Sequence, residues 1–214
     1  TVTVKNFGGG SSLQTSFDDD FVRADLPTLG PNWIRTSSNQ PGGGGNGATA
    51  WAEVSSNQAL LSVQNGAGFT QEYSIAWIPL PVYLNVQDLA GYFVQFTFQT
   101  ATTSGWGAML RYNHNMQNGI TQNEGADWYG MLFNGRIDKR VGGGASATIG
   151  AGTWAQVAGD VLRFECLTVG STVVLQAIRN GAVLQTITDA TATRITNGGP
   201  AMTVFSMASA VSTS

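Results

Sequence analysis

Trp106, Arg111, Tyr112, Asn113, Asp127, Trp128 and Tyr129 lie close together along the chain and carry the side chains that sugar recognition requires. Aromatic rings stack on the apolar face of a pyranose, while a guanidinium, a planar amide and a carboxylate hydrogen-bond its hydroxyls. The same residue types fill the cores and interfaces of β proteins, so packing is the competing reading of this cluster. A second group, Asp18, Asp19 and Asp20, offers hard oxygen ligands of the kind calcium collects, about six to eight at a time. Their spacing is not that of an EF-hand loop. Consecutive carboxylates of extended chain point apart, so turn formation, helix capping or pairing with Arg23 competes with calcium here.

Catalysis asks for stricter arrangements. A retaining glycosidase needs two carboxylates about 5 Å apart, which alternate residues of one strand can supply. No strand-like segment carries such a pair: Glu53, Glu72 and Glu165 are isolated, and Glu124 with Asp127 is the acidic pair nearest the aromatic cluster. His114, the single histidine, sits among asparagines, and no Gly-x-Ser-x-Gly elbow accompanies it. The single cysteine, Cys166, excludes an internal disulfide and falls on an apolar strand face, as a small buried hydrophobe does. One histidine and one cysteine cannot close a transition-metal site. No catalytic residue, no enzymatic activity and no cofactor are therefore expected, with calcium the one ion the sequence allows.

The elements that must position these residues read as β throughout. From Thr153 to Asp189 three alternating runs form an antiparallel meander: Leu162, Phe164 and Cys166 share one face and Arg163 and Glu165 the other. Gly170-Ser171 makes its first turn. Asn180-Gly181, the pair that most readily adopts the positive φ of a tight hairpin, makes its second. Further strands are expected at Thr49–Val54, Ala59–Val63, Tyr73–Trp77, Gly91–Thr100, Trp106–Tyr112, Trp128–Phe133, Gly135–Val141 and Met202–Met207. Thr1–Val4 reads as a short edge strand, and the Gly8–Ser12 run after it as a hinge, so that residues 1–16 form an arm or edge strand and 17–214 one domain. Roughly ten short strands without a helical apolar period predict an all-β protein, a two-sheet antiparallel β-sandwich of the jelly-roll kind, with an up-and-down barrel as the alternative.

Composition narrows the partners. Only 11% of the 214 residues are charged while 42% are hydrophobic, and the net charge is −3. A surface built from Gly, Thr, Ser, Asn and Gln has no basic footprint for nucleic acid. No apolar stretch reaches the ~20 residues of a membrane-spanning helix. The opening TVTVKNFGGG lacks the charged start and apolar core of a secretory signal, as would a mature chain or one that never used such a signal.

The succession FDDDFVRADLPTLGPNW, GAMLRYNHN, DWYGMLFNGRIDKRVGGG, then GDVLRFECLTVGSTVVLQAIRNGAVLQTITD with NGGPAM, resembles the concanavalin A-like lectin/glucanase superfamily. More narrowly it is similar to the laminin G-like jelly-roll modules of phage structural proteins and secreted bacterial proteins. The matching order runs over residues 17 to 207. The chain departs from that pattern at Gln176-Ala177-Ile178-Arg179, where such modules often carry an aromatic, and at Gly199-Pro200-Ala201, where Pro-Gly is commoner. The resemblance implies a concanavalin A-like sandwich and two functions. The first is a non-catalytic virion structural or accessory protein, a capsid-decorating or tail-associated module at the virion surface. Its partners would be the major capsid protein or tail proteins, further copies of itself, and host or environmental glycans. The alternative is an extracellular carbohydrate-binding module or polysaccharide-active hydrolase or lyase.

Overall fold

The computed structural model describes residues 2–6, 16–19, 34–39, 49–55, 58–64, 72–77, 91–97, 105–113, 127–132, 135–142, 145–152, 154–155, 157–206 and 211–212, with side chains at 91–97, 107–112 and, within those ranges, 127–201. Its strands are β1 Val2–Asn6, β2 Ser16–Asp19, β3 Ile34–Asn39, β4 Thr49–Ser55, β5 Gln58–Gln64, β6 Glu72–Trp77, β7 Gly91–Thr97 and β8 Gly105–Asn113. There follow β9 Asp127–Leu132, β10 Ile137–Arg140, β11 Ala147–Gly150, β12 Val161–Val169, β13 Thr172–Arg179, β14 Ala182–Asp189, β15 Gly199–Ser206 and β16 Val211–Ser212.

Pairing among the described strands is antiparallel and builds separate sheets rather than one closed barrel. A six-stranded sheet has the order β14-β13-β12-β7-β1-β2, a seven-stranded sheet the order β11-β10-β9-β8-β15-β6-β3, and a small sheet the order β16-β5-β4. The chain passes between the six- and seven-stranded sheets from β2 to β3, β6 to β7, β7 to β8, β11 to β12 and β14 to β15, as expected of a jelly-roll sandwich. Alternation explains the layering. Tyr92 and Val94 of β7, Leu162, Phe164 and Cys166 of β12, and Val173, Leu175 and Ala177 of β13 are buried on one face of the six-stranded sheet. Ala108 and Leu110 of β8, Tyr129 and Met131 of β9 and Ile137 of β10 are buried on the facing side of the seven-stranded sheet.

The meander stands as the sequence predicts, with Gly170-Ser171 and Asn180-Gly181 at its turns and Asn180 at φ 50°. The opening strand does not stand as predicted. β1 pairs with β7 on one side and β2 on the other, Val4 lying opposite both Val94 and Phe17, so it is an interior strand and not an edge. An apolar alternation only four residues long says that a strand forms, not which strands will flank it. Two of the three aspartates lie in a strand: Asp18 and Asp19 belong to β2, opposite Thr3 and Val2. Successive strand positions belong to opposite faces of a sheet. Asp20 lies outside the described residues.

Candidate recognition site

The geometry of the site begins at a bulge. Leu110 of β8 faces Tyr129 of β9, but Asn113 faces Asp127, so β8 spends one residue more than its partner. The same irregularity separates Met109 from Tyr112 along β15. Arg111 sits in this bulge at φ 55°, and the extra residue turns both Leu110 and Arg111 into the space between the sheets. There Arg111, only 1% exposed, donates from its backbone N–H to the Tyr92 hydroxyl at 2.6 Å and from its guanidinium to Thr168 Oγ1 at 2.9 Å and to the Thr196 carbonyl. Gly198, at φ 111°, lies so close to the Arg111 carbonyl that a Cβ there would overlap it. Burial, and then the Cys166 thiol, push the Tyr92 phenol well above its ordinary value, against the pull of Arg111. Burial likewise raises the Cys166 thiol, which suits an inert core cysteine.

Beside the bulge, the inner face of the β9–β10 hairpin is a closed polar network. The Tyr129 hydroxyl donates to Asp189 Oδ2 at 2.6 Å and accepts the Ile195 N–H at 2.9 Å. Lys139, directly opposite Tyr129 in the ladder, reaches Asp189 Oδ2 at 2.7 Å and donates to the hydroxyls of Thr191 at 2.9 Å and Thr193 at 3.2 Å. Asp189 Oδ1 accepts from the Thr191 N–H at 3.0 Å and hydroxyl at 2.6 Å. Burial alone would raise the Asp189 carboxyl. Hydrogen bonds from Lys139, Thr191 and Tyr129 overcome it and hold the group well below the usual carboxylate range. Burial and the Asp189 bond raise the Tyr129 phenol. Together Arg111 and this network strap the segment after β14 onto the seven-stranded sheet.

The outer face of the same hairpin has a different make-up. Trp128 lies opposite Arg140, and Gly130 opposite both Asp138 and Met109. The Trp128 ring lies over Gly130, where a Cβ would stand 2.9 Å from Cζ3, so the glycine is what lets the ring lie between Met109 and Asp138. Arg136 holds Asp138 Oδ2 from NH2 at 2.7 Å and from Nε at 3.1 Å. The other oxygen, Oδ1, is buried and has no hydrogen-bond donor among the described residues. Trp128 is 3% exposed and Asp138 4%, and Tyr112, Met109 and Arg140 are buried beside them.

The residues named from the sequence thus divide between two faces. Arg111 and Tyr129 point between the sheets and commit their hydrogen bonds to the fold, although Arg111 Nε has no partner among the described residues. Tyr112 and Trp128 belong to the outer face. Asp127 is half-buried and accepts the Gly142 N–H at 2.5 Å, while Asn113 lies opposite it and Trp106 opposite Val204 in the ladder. Asp138, Arg140, Lys139 and Asp189 were not singled out by the sequence. The run Ile137-Asp138-Lys139-Arg140 does carry their signal: period-two alternation puts Asp138 and Arg140 on one face and Lys139 on the other.

The remaining acids show no catalytic pairing among the described residues. Asp138, Asp160, Glu165 and Asp189 are each ion-paired, to Arg136, Arg179, Arg163 and Lys139 respectively. Glu124, His114 and Asp20 lie outside the described residues. No group of three or more histidine, cysteine, aspartate or glutamate side chains converges as a metal site among those described.

No protein-family model matches the chain, and no curated protein matches it. Among solved structures, it is similar to the carbohydrate-binding module CBM66 from Bacillus subtilis, with 7% identity and a TM-score of 0.45 over 86% of this chain and 96% of that one. It is also similar to peanut lectin with a nine-residue peptide, PVIWSSATG, at 10% identity and a TM-score of 0.40, over 85% of this chain and 91% of the lectin. What the fold defines is an antiparallel β-sandwich, with Tyr112, Trp128, Asp138 and Arg140 buried on the outer side of its seven-stranded sheet.

Proposed function

We propose that the protein is a non-catalytic recognition module whose ligand is a glycan, received on the outer face of the seven-stranded sheet around Trp128, Asp138 and Arg140. The observation that carries this is Asp138 Oδ1, a buried acceptor without a donor among the described residues, in a carboxylate whose other oxygen Arg136 already holds. Leaving such an acceptor dry costs about 1–3 kcal/mol. A sugar hydroxyl is a donor that removes the cost, and the buried Trp128 indole beside it would report the ligand's arrival.

Trp128 and Asp138 are buried, so a ligand that engages them must perturb the indole. A glycan array followed by titration of the best saccharide should show binding together with a fluorescence change that Trp128→Phe abolishes. Reducing-end and unsaturated-product assays run alongside should stay silent. Turnover lost in Glu124→Gln or Asp127→Asn would overthrow the non-catalytic reading.

One observation favours a second reading, a structural or accessory protein at a virion surface with capsid or tail proteins and further copies of itself as partners. Val183 and Leu184, on the outermost strand of the six-stranded sheet, are 53% and 46% exposed, and Val157 at the adjoining corner is 55% exposed. Apolar surface of this kind suits a protein partner. Recovery of the protein on purified particles, with head and tail genes as neighbours, would carry that reading. Polysaccharide-degrading neighbours would carry an extracellular one.

A further inference from the structure

The turn between β13 and β14 is an Asn-Gly pair, the dipeptide in which a backbone amide has the least hindered approach to a side-chain amide carbon. Asn180 and Gly181 are exposed at φ 50° and 83°, and apart from its two chain neighbours no described residue comes within 4 Å of where a Gly181 Cβ would be. Yet the Asn180 side chain is tied at both ends. Its Oδ1 accepts the Val161 N–H at 2.9 Å, and its Nδ2 donates to Asp160 Oδ1 at 2.9 Å, while its backbone N–H donates to the Val161 carbonyl at 2.8 Å. Asp160 is buried and fixed in turn, its Oδ2 accepting the Val157 N–H at 2.8 Å and pairing with Arg179 at 2.8 Å.

We propose that Asn180 is a latent deamidation site, kept closed by the Asp160–Val161 clamp, and that its conversion unlatches this corner of the sandwich for good. In the reaction the Gly181 amide nitrogen loses its proton and attacks Asn180 Cγ, forming a new C–N bond. The bond from Cγ to Nδ2 breaks and the nitrogen leaves as ammonia, giving a succinimide. Water then opens the ring at either carbonyl to leave aspartate or isoaspartate. The clamp opposes the first step, because Cγ cannot turn toward the Gly181 nitrogen while Oδ1 and Nδ2 hold their partners.

The product cannot remake the clamp. Where Nδ2 donated to Asp160, aspartate presents a second carboxylate oxygen, and like charges replace a donor–acceptor pair. Isoaspartate adds a methylene to the main chain between β13 and β14 and shifts their register. Local opening of the corner therefore sets the rate of an irreversible change.

Peptide mapping that separates asparagine, aspartate and isoaspartate at position 180 tests this during incubation of the full chain in mildly alkaline buffer. The folded protein should convert about tenfold or more slowly than a linear peptide of residues 175–186, because opening must precede attack. Asp160→Ala should move the rate toward that of the peptide. Equal rates in the folded chain and the peptide would overturn the proposal, as would an unchanged rate in a folded Asp160→Ala protein. Should Asp160→Ala fail to fold, the second half stands on Asn180→Asp. That variant should melt below wild type and regain the loss when Asp160→Asn is added, and a wild-type melting temperature in the single variant would refute the latch.

Discussion

The two faces of the β9–β10 hairpin are made from the same pair of strands and finished to different degrees. Inside, Tyr129, Lys139 and Asp189 satisfy one another completely, with Thr191, Thr193 and Ile195 supplying the remaining partners. Outside, Asp138 is dry on one oxygen among the described residues, and the Trp128 ring lies across a glycine. Buried polar groups that hold a fold are paired because each unpaired one costs stability. The inner network therefore has the form of a structural strap, while on the other face one buried acceptor, Asp138 Oδ1, has no donor among the described residues.

The comparison breaks most visibly on the inside. Asp189→Ala leaves Lys139 buried without its carboxylate and should cost about 3–5 kcal/mol, read as the shift in the denaturant midpoint. Tyr129→Phe removes one hydroxyl, strands the Ile195 N–H and should cost about 1–3 kcal/mol by the same measurement. A cost below that of Asp138→Asn in either variant would reverse the assignment of strap and patch.

Acid should select the inner face as well. The Asp189 carboxyl is held below its unfolded value, so the stability it contributes is fully present above that value, about 4, and is lost as pH falls toward the folded one. Asp160 behaves in the same sense: burial would raise its carboxyl, but bonds from the Val157 N–H, Asn180 and Arg179 outweigh it. The melting temperature should fall below about pH 4, and less steeply in Asp189→Asn, which has already lost that linkage. Equal slopes would show that Asp189 does not titrate with folding.

Much of the fold is legible in the sequence because its signals are local. Leu162, Phe164 and Cys166 alternate within one strand, and Asn180-Gly181 declares its turn from two residues. The flanks of β1 are not legible, since Val4 meets Val94 across a long stretch of chain and its four-residue pattern fits an edge or an interior position equally well. The site is half legible for the same reason. Trp128 and Tyr112 announce an aromatic cluster, but the bulge that turns Arg111 inward is a register event between strands. Asp189 finds Tyr129 from 60 residues away, a pairing no spacing rule encodes. Four consecutive buried residues with three charges, Ile137 to Arg140, look like a solvated strand until both faces are seen to be covered.

The smallest expected effect on stability is also the most telling for function. Asp138→Asn keeps the shape of the side chain and weakens only one surface-side ion pair, so its stability should lie within about 1 kcal/mol of wild type. Calorimetric titration of wild type and Asp138→Asn with the best saccharide from the array tests directly whether the outer face is a glycan site. The account predicts binding by the wild type and a loss of about tenfold or more in the variant, the worth of one hydrogen bond to a charged acceptor. Equal affinities in the two proteins, or no saccharide bound by the wild type, would contradict it.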